Sequence, residues 1–153
     1  MSLRDKIKTR MNELDIQTKR SLGQNFLVSD TAIEKIIRFA ELDQFNQIIE
    51  IGPGLGALTD SLIHSQKELH LIELDKTFAS YWREKGQNVI EGDALKFDWQ
   101  TWPWDKGPSV LISNLPYQIS SRLVVELSFL DPCFDRMVLM FQKEVAERIA
   151  AAP

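Results

Sequence analysis

Cysteine is almost absent from this sequence: Cys133 stands alone, so no internal disulfide can form and no disulfide framework holds the fold. No apolar run approaches the ~18 residues of a membrane span. The opening MSLRDKIKTR is charged, with no apolar stretch behind it that could act as a signal sequence, so a cytoplasmic address is expected. Excess positive charge is also missing, since 18 basic residues face 22 acidic ones for a net of -4. Taken alone, that balance argues against a nucleic-acid partner, because phosphate contacts need Lys and Arg. What is present is ordinary globular material: 44% hydrophobic and 26% charged residues over 153 positions, enough for one domain with a core.

The charge is unevenly spread. Residues 1–20 hold six basic residues (Arg4, Lys6, Lys8, Arg10, Lys19, Arg20) against three acidic ones, net +3, while residues 21–153 hold 12 against 19, net -7. A basic head on an acidic body is either an RNA-contacting arm or a solvated helix face. Five short apolar runs read as buried strands: 47–52, 70–74, 88–93, 110–114 and 136–142. Helical patterns fall between them. Ile33, Ile36, Ile37 and Ala40 follow an expected cap at Asp30; Leu58, Leu62 and Ile63 follow a glycine loop. Phe78 and Trp82 precede Gly86, and Leu123, Val124, Leu127 and Leu130 follow a cap at Ser120. This alternation predicts an α/β fold: a mostly parallel sheet with helices on both faces and a ligand crevice at the carboxyl ends of the strands. The stretch 98–108 carries Trp99, Trp102 and Trp104, either as an exposed aromatic platform or as a loop folded onto the body.

After the first strand comes Glu50-Ile51-Gly52-Pro53-Gly54-Leu55-Gly56-Ala57, where such sheets bind an adenosine-containing cofactor. Gly52, Gly54 and Ala57 satisfy the dinucleotide fingerprint, and Glu73 lies 21 residues beyond Gly52, where an acid grips ribose hydroxyls. A nicotinamide dehydrogenase would look similar. Gly56, Glu50 and Pro53 tilt the reading elsewhere, because a pyrophosphate loop needs its N–H groups and proline removes one. S-adenosylmethionine has no phosphate. It needs close backbone approach for its methionine part, a carboxylate for its ribose and an acceptor for its adenine amine. The glycines, Glu73 and Asp93 offer these, although Asp93 could equally be a turn residue. No acid-base partner for hydride chemistry stands out around His64 or His70.

Asn114-Leu115-Pro116-Tyr117 ends the fourth strand. An adenine amino nitrogen is a poor nucleophile because its lone pair is delocalised into the ring. Methylating it requires acceptors for its N–H groups, and the Asn114 side chain and Leu115 carbonyl can serve. Pro116 restricts the residue before it and so aims that carbonyl. Tyr117 offers a face on which an extruded base can stack. The plainer reading is a strand-ending turn.

These residues, together with Lys19-Arg20-Ser21-Leu22-Gly23-Gln24-Asn25-Phe26-Leu27, Glu91-Gly92-Asp93-Ala94-Leu95 and Phe141-Gln142-Lys143-Glu144-Val145-Ala146-Glu147-Arg148, resemble the ribosomal RNA adenine N6-dimethyltransferases, the family that governs kasugamycin sensitivity. The resemblance spans nearly the whole chain. It implies a Rossmann-like class I S-adenosylmethionine-dependent methyltransferase that dimethylates adjacent adenosines of small-subunit (16S) ribosomal RNA within a pre-ribosomal particle, contributing to ribosome biogenesis. Residues 1–28 would be a basic arm and cofactor lid, with Gln24, Asn25 and Leu27 enclosing the cofactor. Residues 29–153 would be the core, with Gly52, Gly54, Glu73, Asp93, Ala94 and Asn114 binding the cofactor and Asn114, Leu115, Pro116 and Tyr117 forming the catalytic set. Lys143 and Arg148 are candidate phosphate contacts or solvated helix charges. No metal or membrane is implied, and a monomer is expected.

The family continues past the fifth strand, with two more strands, a later aromatic beside the target base and a small helical RNA-binding domain. The sequence therefore reads as a piece of such a protein, inactive alone. A macrolide-resistance methyltransferase of large-subunit RNA is disfavoured by Leu115 and Tyr117. A non-catalytic ribosome-assembly or transcription factor is disfavoured by the intact Glu73, Asp93, Asn114 and Tyr117.

Overall fold

The computed structural model describes residues 2–15, 29–115, 119–141 and 143–151. Runs rich in Ile, Leu and Val form β1 (Gln47–Ile51), β2 (Glu68–Glu73), β3 (Asn88–Glu91), β4 (Ser109–Asn114) and β5 (Arg136–Met140). They make one sheet in the order β3-β2-β1-β4-β5, with every neighbouring pair parallel. Parallel neighbours need crossovers, which helices supply. The helices are α1 (Leu3–Glu13), α2 (Asp30–Ala40), α3 (Thr59–Ile63), α4 (Lys76–Glu84), α5 (Ser120–Ser128) and α6 (Lys143–Ala150). The expected Rossmann-like sheet is therefore present, and its order reverses between β1 and β4. At such a switch point the two crossovers leave in opposite directions and open a crevice.

Side chains of a strand alternate between faces, and the core divides accordingly. Ile48, Leu71 and Ile112 pack with Ile7 of α1, Ile36 of α2 and Trp82 of α4. On the other face Ile49, Ile72 and Leu111 pack with Leu123 and Leu127 of α5 and with Trp99 and Trp102. Burying each such side chain contributes about 1.5–3 kcal/mol. The tryptophans thus fold onto the body rather than forming an exposed platform. Trp99 donates its indole N–H to the Ala94 carbonyl at 3.1 Å, and Trp104 donates to the Trp99 carbonyl at 3.0 Å.

Several boundaries differ from the sequence reading. The cap of α2 is Ser29, whose hydroxyl accepts from the Ala32 amide at 3.3 Å, and Asp30 opens the helix instead. Both residue types cap well, so the pattern could not separate adjacent candidates. Ser120 likewise lies inside α5; Ile119 holds the cap position and makes no side-chain cap bond. The helix after the glycine loop is only five residues long. Strand β2 begins at Glu68 because pairing to Gln47 extends the ladder through a polar residue.

Strands β3 and β5 are the two sheet edges among the described residues; β5 is half-buried throughout, and α6 buries no residue. Arg136 fixes β5 to α2: it donates to the Phe39 and Ala40 carbonyls, each at 3.3 Å, and pairs with Glu41. A cation there complements the negative end of the α2 dipole. No helix among the described residues is long and apolar enough to cross a membrane.

Candidate functional site

Register decides what shares the carboxyl rim of the sheet. Ile51 pairs with Ile72, so Glu73 stands level with Gly52, and Glu73 itself pairs with Glu91. Glu50 pairs with Ile112; two further steps bring Asn114 level with Gly52 as well, and Asn114 pairs with Met140. Gly52, Glu73 and Asn114 therefore end three adjacent strands at one height, and Asp93 follows two residues beyond Glu91. Alternation puts Glu50, Glu73 and Asn114 on the same face of the sheet as α1 to α4.

The loop after β1 uses its glycines for backbone shape. Gly52, Gly54 and Gly56 have φ of 71°, 50° and 82°, values that L side chains rarely adopt. At Gly56 space forbids a side chain too, because a Cβ would lie 2.2 Å from Trp82 Cζ2 and 2.7 Å from Arg10 Nη1. Buried Leu55 pins the loop to the core. The Gly52 amide donates to the Ile72 carbonyl at 2.8 Å, which continues the ladder one step past β1.

Two carboxyl groups lie beneath and beside this loop. Glu50 is fully enclosed, and burial pushes its pKa up to about 8 against the hydrogen bond that Thr59 donates to Oε2 at 2.7 Å. It is thus largely protonated at neutral pH, which removes the cost of an uncompensated buried charge. Glu73 is shifted upward by burial too, opposed by the amides of Asp75 and Gly54, which donate to Oε1 at 2.9 Å and Oε2 at 3.0 Å. With a third backbone donor at Leu74, the roughly four lone-pair sites of the carboxylate are not all taken, so a hydroxyl can still donate to it. A sheltered carboxylate beside a glycine backbone turn, with Pro53 removing an N–H, fits the ribose and methionine parts of S-adenosylmethionine better than a pyrophosphate.

Asp93 behaves partly as the turn residue that the sequence allowed: its Oδ1 accepts from the Leu95 amide at 2.9 Å. Among the described residues Oδ2 accepts no further hydrogen bond. Ala94 is buried, with its carbonyl engaged by Trp99. Asn114 is half-buried and Leu115 is buried. The Ser113 hydroxyl donates to the Ile51 carbonyl, which ties the end of β4 to the start of the loop. Gln24, Asn25 and Leu27 of the expected lid, and Pro116 and Tyr117 of the expected catalytic set, lie outside the described residues. Lys143 and Arg148 are on exposed α6, and Lys143 faces Glu147 at 3.7 Å.

Three contributors escaped the sequence reading. Thr59 holds Glu50, Trp82 donates its indole N–H to the Gly54 carbonyl at 2.8 Å, and Arg10 donates to the Leu55 carbonyl at 2.7 Å. Trp82 was legible as a core residue but not as a loop ligand. His70, by contrast, sits three residues before Glu73 on the opposite face, against Glu68 at 3.0 Å and Asn88 at 2.8 Å. Burial lowers its pKa despite Glu68. His64 is exposed beyond α3 and bonds the Asp60 carbonyl. Neither supplies the acid-base partner of a dehydrogenase.

The family model for "Ribosomal RNA adenine dimethylase" matches residues 16–153. A ribosomal RNA small subunit methyltransferase A from Bdellovibrio bacteriovorus is 50% identical over 146 residues, covering 95% of this chain and 53% of the relative. Among solved structures, a dimethyladenosine transferase from Plasmodium falciparum superposes with a TM-score of 0.69 at 34% identity, over 84% of this chain and 47% of that one. A 23S rRNA methyltransferase, ErmE, follows with a TM-score of 0.67 at 28% identity, over 80% and 50%. The chain spans about half the length of the curated relatives it matches. With the family match extending from the end of α1 through the whole sheet, the chain belongs to the ribosomal RNA adenine dimethylase family.

Proposed function

We propose that this chain is the cofactor-binding and catalytic part of an S-adenosylmethionine-dependent enzyme that dimethylates the N6 amino groups of adjacent adenosines in small-subunit ribosomal RNA. It would act in the cytoplasm, as a monomer, on a pre-ribosomal particle. The observation that carries the reading is the shared height of Gly52, Glu73 and Asn114 on adjacent strands flanking the switch point.

When bound, S-adenosylmethionine supplies a methyl group already activated on a sulfonium. The chain's own residues then have positioning to do. The 52–56 backbone receives the methionine part and Glu73 accepts from the ribose hydroxyls. Asp93 Oδ2 accepts from the adenine amine, with Ala94 beside it. Gln24, Asn25 and Leu27 close over the cofactor from the N-terminal arm. The Asn114 amide oxygen and the Leu115 carbonyl accept hydrogen bonds from the target amino group, which frees its lone pair to point at the methyl. Pro116 holds that carbonyl's direction, and Tyr117 stacks on the extruded base. No general base is needed while the nitrogen is still an amine; its proton leaves to solvent after transfer. Such orientation is worth several orders of magnitude in rate.

The likeness to a 23S rRNA methyltransferase is nearly as strong in fold, so the target RNA is decided by the residues after β4, where Leu115 and Tyr117 favour the small subunit. The test is methylation of unmethylated small and large subunits by the protein encoded in the whole reading frame, read by mass spectrometry of the RNA. Dimethyladenosine in the small subunit alone is expected. Modification of the large subunit instead would favour the macrolide-resistance type. Cofactor binding with neither RNA changed would favour the assembly-factor reading.

A further inference from the structure

The basic residues of the N-terminal segment part company once folded. Arg4 and Lys8 face solvent, whereas the Arg10 side chain is only 16% exposed. Its Nη1 donates to the Leu55 carbonyl at 2.7 Å, and its Nη2 donates to Asp60 Oδ1 at 2.7 Å. The guanidinium lies 5.2 Å from the Trp82 ring, and Trp82 in turn holds the Gly54 carbonyl at 2.8 Å. The carbonyls of two successive loop residues are therefore fixed by Arg10 and Trp82, while the Gly54 amide is fixed by Glu73. Gly56 is bare because those same two side chains occupy the space that its Cβ would need. A guanidinium can bond two acceptors in one plane, which a lysine cannot reproduce.

We propose that Arg10 is a positioning residue for the cofactor loop: by clamping the Leu55 carbonyl it sets the backbone of residues 54–56 and makes cofactor affinity depend on the docking of α1. The identity of the ligand rests on the function proposed above; the claim on the loop does not. Linkage makes the coupling reciprocal, so a bound cofactor also holds α1 in place.

A second role for Arg10 is separable. Asp60 is mostly buried; its Oδ2 has no hydrogen-bond partner among the described residues, only Lys6 Nζ at 3.9 Å. Arg10 also neutralises that carboxylate. The experiment therefore compares Arg10→Met, which keeps the apolar stem against Trp82, with the double variant Arg10→Met/Asp60→Asn, which removes the stranded charge as well. Ile7→Val is the control: it trims the buried face of α1 and leaves the Arg10 side chain and its hydrogen bonds in place.

Two readouts are taken on the full chain: hydrogen exchange of the 54–56 amides without ligand, and affinity for S-adenosylhomocysteine by calorimetry. Arg10→Met and the double variant are both expected to speed loop exchange and to weaken binding about tenfold, the scale of one lost charge-assisted hydrogen bond. Arg10→Lys should fall between them and the parent, and Ile7→Val should leave both readouts within about twofold. Recovery of parental values in the double variant would overturn the proposal and reduce Arg10 to charge neutralisation. Equal effects from Ile7→Val would reduce it to helix packing, and unchanged loop exchange in Arg10→Met would sink it outright. A parent that binds no S-adenosylhomocysteine, yet whose loop loosens in Arg10→Met, would discard the cofactor reading and keep the clamp.

Discussion

The two sides of the rim are built differently. Along β1 and β2 the polar groups are bonded to one another: Glu73 holds the Gly54 and Asp75 amides, Thr59 holds Glu50, and Arg10 and Trp82 hold the loop carbonyls. Along β4 and β5 the rim residues Asn114 and Met140 are half-buried, and β5 is an edge. The first side is held by its own hydrogen bonds, so in the proposed function its shape would be set before the cofactor arrives, which lowers the cost of ordering a small flexible molecule. In the proposed function the second side, half-buried rather than enclosed, is the one that would meet the larger RNA substrate. On that reading, preorganisation is concentrated where the smaller partner would bind.

The comparison can be broken by exchanging the effects of two substitutions. Asn114→Ala in the whole protein should cut methyl transfer about 100- to 1000-fold, the scale of losing one transition-state hydrogen-bonding group, and weaken S-adenosylhomocysteine by no more than about tenfold, the share of one of its several contacts. Glu73→Ala should do the reverse, weakening the cofactor by roughly 100-fold as its carboxylate and the anchor of the Gly54 amide vanish together. Rate measured at saturating cofactor, alongside calorimetry, separates the two. If Asn114→Ala lost cofactor as severely as Glu73→Ala, the two sides would not be distinct.

A smaller effect sharpens the picture of the buried side. Glu50 has a folded pKa of about 8, above its ordinary 4.5, so the native state keeps a proton that the unfolded chain releases. The contribution is fully present below pH ~4.5 and is lost as pH rises through ~8. Glu50→Gln keeps an acceptor for Thr59 and has nothing to titrate. Unfolding free energies from urea titrations between pH 4.5 and 9 should fall more steeply for the parent than for the variant, by roughly a few kcal/mol across the range. Parallel profiles would mean that Glu50 is not enclosed.

The sheet and much of the rim were legible because their signals are local. Apolar runs such as Gln47–Ile51 and Ser109–Asn114 are buried on both faces and bounded by punctuation, so each strand announces itself. Gly52, Gly54 and Glu73 follow from loop chemistry and spacing along a known chain order. Arg10 was not legible: as one of six cations near the N-terminus it reads as a solvated charge or an RNA contact, and only the packing of Leu3 and Ile7 carries it to Leu55. Trp82 and Thr59 were hidden for the same reason, since their partners lie 28 and nine residues away on other elements. Asp30 and Ser29 show the limit of cap chemistry, which cannot rank two good caps side by side.

The most direct test is an NMR titration of the chain with S-adenosylhomocysteine, following the amides of Gly54, Asp75, Leu95 and Leu115. These report in turn on the loop, the Glu73 carboxylate, the Asp93 turn and the end of β4. All four are expected to shift along one isotherm that saturates at a single equivalent. Separate isotherms, or movement at Gly54 and Asp75 while Leu95 and Leu115 stay still, would show that these strand ends do not enclose a common ligand.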